Sequence, residues 1–194
     1  AQLEISNIKF YNFRNLEENI IEFNKNINFF YGKNGHGKTN ILEAVYFSFT
    51  GKSFKKKNIK DIIKYNCESS GTRVQYKENN SDKNIGCILK SGKREYQYNG
   101  KKISFDDYIG RVPILSFSPD DIDLITGNPS NRREYFDYEI SQTDKSYYLL
   151  LKEFNKILKV RNSFIKEKKI KDEVFLLYNE KFIEYAADIY IKRY

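Results

Sequence analysis

Residues 32 to 39, Gly-Lys-Asn-Gly-His-Gly-Lys-Thr, fit the pattern G-x-x-x-x-G-K-[ST] at every defined position. Those residue types at that spacing suit a phosphate cradle. Gly35 and Gly37 let the backbone curl until several N–H groups point inward at phosphate oxygens. Lys38 brings a point charge to the β- and γ-phosphates of a nucleotide, and the Thr39 hydroxyl supplies a ligand for Mg2+. Gly32, Lys33, Asn34 and His36 complete the loop. His36 is the only histidine of the chain, and a lone loop histidine with no partner to orient it is a solvated residue before it is a general base.

Such a loop needs a strand before it and a helix after it, and the flanking sequence offers both. "LEISNIKF" (3–10), "NIIEF" (19–23) and "NINFFYG" (26–32) read as short apolar strands. After the loop, Ile41, Leu42, Val45, Tyr46 and Phe49 fall at helical spacing over 38–49. From 71 to 105 apolar and polar residues alternate, broken at Asn79-Asn80, Ser91-Gly92 and Asn99-Gly100. This predicts an antiparallel meander with one solvated face. "VPILSFS" (112–118) is nearly all apolar and reads as a buried central strand. Beyond it the pattern turns helical. Pro119 and Pro129 suit first helical positions, with Ser118 and Asn128 as caps. Apolar stripes over 147–165 and 174–190, joined by the polar "KEKKIKD", predict an antiparallel helical hairpin. The chain thus divides into an α/β part, 1–126, and a helical part, 127–194. The last helix is still amphipathic at "IYIKRY" with no stop signal after it, the pattern of a cut inside a larger protein.

Composition narrows the class. Of 194 residues, 40 % are hydrophobic and 31 % charged, ordinary for a globular protein. No apolar run is long enough to span a membrane, and the N-terminus lacks the layout of a secretory signal. Cys67 and Cys87 have neither metal-site nor CxxC spacing and read as reduced structural thiols of a cytoplasmic protein. The net charge of +8 raises nucleic-acid binding, but lysine outnumbers arginine 26 to 8, so the few arginines carry more information.

"NGHGKTNILEAVYF", preceded by "IKFYNFRNL", resembles the ATPase head shared by SMC proteins and the RecF family, within the ABC-type ATPases. The run "SPDDIDLITGNPSNRREYFD" is similar to the segment that distinguishes RecF from its SMC-like relatives. The resemblance covers essentially the whole chain and corresponds to about the N-terminal half of a RecF protein. It implies a P-loop ABC/SMC-type ATPase lobe with a mixed sheet and antiparallel β-meander, followed by an incomplete helical lobe. It further implies a bacterial DNA-repair and recombination protein that binds ATP, Mg2+ and DNA and forms an ATP-dependent homodimer. With RecO and RecR, such a protein loads recombinase at single-stranded gaps and supports replication restart and the SOS response.

Further candidates follow from the resemblance. Arg14 and Asn15, in "NFRNL", occupy the position where related heads approach the nucleotide; a surface turn is the alternative. Asp120 and Asp121 take the place of the loop that couples nucleotide state to the helical lobe, with a weaker metal role. Equally, they are acids that complement a helix dipole. For DNA, the basic run "GKSFKKKNIK" offers Lys52, Lys55, Lys56 and Lys57, and Arg132 and Arg133 lie in the family-specific segment. Solvated lysines and structural ion pairs are the alternatives. The carboxylates of a Walker B strand and the signature serine lie in the second half of the family's proteins. No catalytic residue is therefore expected here, and ATP turnover by this chain alone is expected at background. "EVFLLYNE" (173–180) imitates a Walker B strand, but it carries Asn179 in place of aspartate and keeps helical periodicity. The competing readings are an SMC-like ATPase head, a non-catalytic P-loop scaffold, and a P-loop small-molecule kinase. The meander and the "SPDDIDLITGNPSNRREYFD" segment argue against the kinase.

Overall fold

In the computed structural model, which describes residues 3–55, 58–168, 170 and 172–193 with the side chains of Asp120 and Asp123 left out, the sheet begins at the N-terminus. Strand β1 (Leu3–Tyr11) pairs antiparallel with β2 (Asn19–Glu22) on one side. Helix α1 (Lys38–Thr50) follows the glycine-rich loop. Strands β3 (Ser69–Glu78), β4 (Ser81–Lys90), β5 (Lys93–Tyr98) and β6 (Lys101–Ile103) form the expected meander. The sheet order is β2-β1-β3-β4-β5-β6, and every ladder among the described residues is antiparallel. The three hairpin dipeptides each place both residues at positive φ, from 47° to 75°. That is the geometry of two-residue turns whose twist matches the strands they join.

Strand alternation puts Ile8, Phe10, Val74, Tyr76, Ile85, Cys87 and Leu89 on one face, and α1 covers that face with Ala44, Val45, Phe47 and Phe49. The phenyl rings of Phe13 and Phe47 lie 5.8 Å apart, and Phe49 meets Tyr76 at 6.1 Å. Fully burying one such side chain stabilises by roughly 1.5–3 kcal/mol. The amphipathic stripe read from the sequence describes only the first turns of α1. From Glu43 to Thr50 every residue is buried; beyond the sheet, Tyr46 meets the Phe54 ring at 5.7 Å, and the hydroxyl of Tyr108, in the short helix α2 (Phe105–Tyr108), donates to the Ser48 carbonyl. The helix ends at Gly51, at φ +64°, where an added Cβ would stand 2.6 Å from the Tyr96 ring. Cys87 is buried, and burial pushes its thiol up to about 12.

Two expected strands are not strands. Residues 26–32 and 112–118 have extended stretches with alternating burial, but neither belongs to a ladder among the described residues. Tyr31 is 94 % exposed and Phe117 88 % exposed. The Asn24–Asn28 segment instead closes on itself, with the Asn24 amide donating to the Asn28 side chain at 2.7 Å. The reason is general: an apolar run specifies a pleat to be covered but says nothing about which strand lies beside it.

The chain divides into two units, Ala1–Ser116 and Phe117–Tyr194, with the division ahead of the boundary at 126 read from the change to helical periodicity. The second unit opens with a 3-10 turn, Pro119–Ile122, and helix α3 (Asp123–Thr126). Helices α4 (Pro129–Thr143), α5 (Lys145–Lys166) and α6 (Glu173–Arg193) follow. The hairpin of α5 and α6 is seamed by Phe154 stacked on Phe182 at 5.3 Å and by Phe164 against Phe175 and Tyr178. The "EVFLLYNE" run is the first two turns of α6, and Asn179 accepts from Arg161 at 2.9 Å. Among the described residues, no helix is long and apolar enough to cross a membrane.

Candidate functional site

The glycine-rich loop folds as its composition dictates. Gly32, Gly35 and Gly37 all have positive φ. Gly37 is the residue before α1, at φ +85°, and a Cβ there would stand 2.7 Å from Leu16 Cδ2. Any larger residue would meet both backbone strain and a clash.

The N-terminus of α1 is left open. No side chain caps it and no acid lies in its first turn. The first N–H groups of a helix have no partner within it, so an uncapped start presents donors and a positive dipole end. A cavity of about 320 Å3 lies against this start, lined by Asn34, Gly35, Gly37, Lys38, Thr39, Asn40 and Lys55. The Lys38 ammonium donates to the Gly32 and Lys33 carbonyls at 2.8 and 2.7 Å, which folds the lysine back over its own loop. Thr39 is exposed, and so is His36. Among the described residues, no group of three or more His, Cys, Asp or Glu could hold a metal.

Behind the loop lies a polar network that is anchored on Glu43. Its side chain has no exposure, yet it receives Arg14 twice, Nε at 3.0 Å and Nη2 at 2.6 Å. It also receives Lys55 Nζ at 2.9 Å and the Ser53 hydroxyl. Burial pushes the Glu43 carboxyl up, but hydrogen bonds from Arg14, Ser53 and Lys55 outweigh it and hold the carboxyl below its ordinary range. Arg14, at a left-handed φ of 55°, also donates to the Asp61 carbonyl at 2.9 Å. Lys55 donates to the Asn40 side chain, Asn40 donates to Asn15 at 2.6 Å, and Asn15 reaches the Gly35 carbonyl at 3.2 Å. A continuous chain of polar contacts therefore runs from the loop to Ser53, Lys55 and Asp61.

The structure brings Asn15 and Lys55 to the loop alongside its own residues. Arg14 sits one residue away with its guanidinium on Glu43. Lys55, counted with the DNA candidates from its sequence neighbours, lines the cavity at the start of α1. Lys52 is half-buried, and Lys56 and Lys57 lie outside the described residues. In the second unit, Arg132 donates to the Leu124 and Ile125 carbonyls, closing the end of α3, and Arg133 is exposed. The Asp121 carboxylate accepts from the Ser118 amide and so stabilises its own turn; Asp120 shares that turn. Glu43 was not among the sequence-derived candidates. Its one sequence signal is a lone acid in the apolar run "ILEAVYFSF", since an acid in a buried run requires buried cations.

Comparison with known proteins places this geometry among relatives. The family described as "RecF/RecN/SMC N terminal domain" matches residues 4–122. A "DNA replication and repair protein RecF" of Clostridium botulinum is 36 % identical over 193 residues, covering 97 % of this chain and 53 % of that protein. One from Clostridium perfringens is 35 % identical over 187 residues, covering 95 % and 52 %. The chain thus spans about half the length of the curated relatives it matches. A solved structure of the recombination mediator protein RecF-ATP in the RecFOR pathway superposes with a TM-score of 0.90 at 34 % identity, covering 99 % of this chain and 53 % of that one. An SMC ATPase structure, at TM-score 0.55 and 19 % identity, shares the fold over 73 % of this chain.

Proposed function

The chain belongs to the RecF/RecN/SMC N-terminal domain family, with RecF proteins matching nearly its full length, and from that premise we propose that it carries the ATP-binding half-site of a RecF-type DNA-repair and recombination protein. The observation that carries the reading is the uncapped start of α1 facing a cavity that holds Lys38 and Thr39. In this reading the amides of residues 33–39 hold the α- and β-phosphates and Lys38 leaves its loop carbonyls for the β- and γ-phosphates. Asn15 steadies the loop through Gly35. The exposed Thr39 hydroxyl would supply one oxygen ligand to a nucleotide-bound Mg2+. When bound, the ion would neutralise phosphate charge.

Hydrolysis needs a carboxylate placed to orient water, and the loop supplies none. Glu43, the acid of α1, is consumed by Arg14 and Lys55. We therefore propose that this chain binds ATP but turns it over at background rate. The same reading assigns an ATPase cycle, ATP-dependent dimerisation, partnership with RecO and RecR and a cytoplasmic role at single-stranded gaps to a RecF-type protein of the relatives' full length, of which this chain spans about half. For DNA, the half-buried Lys52 and the exposed Arg133 remain candidates among the described residues. An SMC-like head without a repair role is the second reading, supported by the fold it shares with the SMC ATPase.

Equilibrium titration of Mg2+-ATP into the 194-residue chain, with Lys38→Ala as control, tests the proposal. Saturable binding lost in the variant is the expected result. Equal binding by both would refute the phosphate role, and clear turnover that Lys38→Ala abolishes would refute the half-site.

A further inference from the structure

We infer that Glu43 is a positioning residue for the phosphate cavity: its buried carboxylate holds Lys55 at the cavity wall, where that lysine adds a second cation to Lys38. The inference rests on the nucleotide reading of the cavity.

Glu43 faces two cations with one charge. Arg14 alone, gripping both carboxylate oxygens, would neutralise it, so a purely structural ion pair leaves Lys55 unexplained. The second cation gives the cluster one surplus positive charge. The two cations differ in surroundings: the Arg14 side chain is 11 % exposed and pinned to the Asp61 carbonyl, while that of Lys55 is 24 % exposed and lines the cavity. The surplus charge therefore faces the phosphate loop. Lysine is a point charge on a flexible four-carbon stem that gains rotamer freedom in solvent. Holding it at the wall needs fixed acceptors, and Glu43 and Asn40 supply them. Asn40 is tied through Asn15 to the Gly35 carbonyl, so the position of Lys55 and the shape of the loop are set by one network.

The test is a double-mutant cycle read by titration of a fluorescent ATP analogue with Mg2+. Four versions of the 194-residue chain are compared: unaltered, Glu43→Gln, Lys55→Ala and both together. Glutamine keeps the shape of Glu43 and one acceptor oxygen, removes the charge and turns the second oxygen into a donor. Each single change is expected to weaken binding at least about fivefold, the lower end of ordinary coupling between sites. The double variant is expected to bind no more weakly than Lys55→Ala alone, because the carboxylate acts through the lysine. Circular dichroism confirms folding of each version. If Glu43→Gln fails to fold, Asn40→Ala takes its place in the same cycle with the same expected non-additivity. Unchanged binding by Glu43→Gln would overturn the inference, as would a loss that adds in full to that of Lys55→Ala. Failure of the unaltered chain to bind would overturn the nucleotide reading itself, and this inference with it.

Discussion

The longer helices of the two units, α1 in the first and α4 and α5 in the second, are started in opposite ways. In the second unit α4 begins behind Asn128, whose side chain accepts from the Ser130 amide, and α5 begins behind Asp144, which accepts from Ser146 and Tyr147. Asp144 also receives Lys192 from the last turn of α6 at 2.8 Å, so the cap joins two helices. In the first unit α1 begins behind a glycine, with no cap and no acid in its first turn. Its carboxylate lies deeper, at Glu43, and holds cations rather than backbone amides. A helix start that supports packing is closed by side chains, whereas one that serves an anionic ligand is left for that ligand to close.

Substitutions can break this contrast, and the largest effect is expected at Glu43. Glu43→Ala strands Arg14 and Lys55 around a buried hole and is expected to cost about 3–5 kcal/mol in chemical denaturation. A loss below about 1 kcal/mol would mean that the network does not hold the first unit together. Next comes Gly37→Ser, which puts a good capping residue at the open start. Despite the new cap it is expected to destabilise by about 1–3 kcal/mol, through positive φ and the approach of Leu16; a gain in stability would break the contrast. Asp144→Ala removes a real cap and is expected to cost about 1–2 kcal/mol, read from the same denaturation curves.

Acid titration sharpens the comparison with the smallest effect. Both carboxyls lie below their ordinary values: Glu43 against its burial, through Arg14, Ser53 and Lys55, and Asp144 through Lys192, Ser146 and the Tyr147 amide. A depressed folded value means stability that is present above the ordinary value, 4.5 for Glu43 and 3.8 for Asp144, and lost as pH falls through the folded one. Denaturation midpoints measured from pH 7 to pH 3 should therefore fall, and fall less steeply in Glu43→Gln. Equal slopes would mean that Glu43 titrates alike in both states.

Local chemistry was legible in the sequence wherever it is written in consecutive residues. Each Asn-Asn, Ser-Gly or Asn-Gly pair formed its hairpin, the Asn128-Pro129 pair started α4, and the "EVFLLYNE" periodicity gave a helix. The resemblance of "NGHGKTNILEAVYF" and "SPDDIDLITGNPSNRREYFD" to RecF agrees with the relatives found. What failed needed knowledge of neighbours. Residues 26–32 and 112–118 have strand composition, but pairing depends on what lies beside them. Lys55 was grouped with lysines adjacent in sequence, whereas its partners, Asn40 and Glu43, lie on α1, more than three helical turns earlier in the chain. Glu43 was missed because periodicity marks which face is buried and leaves open which charges are buried with it.

The most direct test follows backbone amide resonances while Mg2+-ATP is titrated into the labelled chain. The expected result is large shifts at Gly35, Gly37, Lys38, Thr39 and Asn40, with Ser130, Ser146 and Tyr147 at the capped starts unmoved. Saturating nucleotide that leaves the α1 amides in place, or that moves all three helix starts alike, would contradict the assignment of the open end of α1 to phosphate.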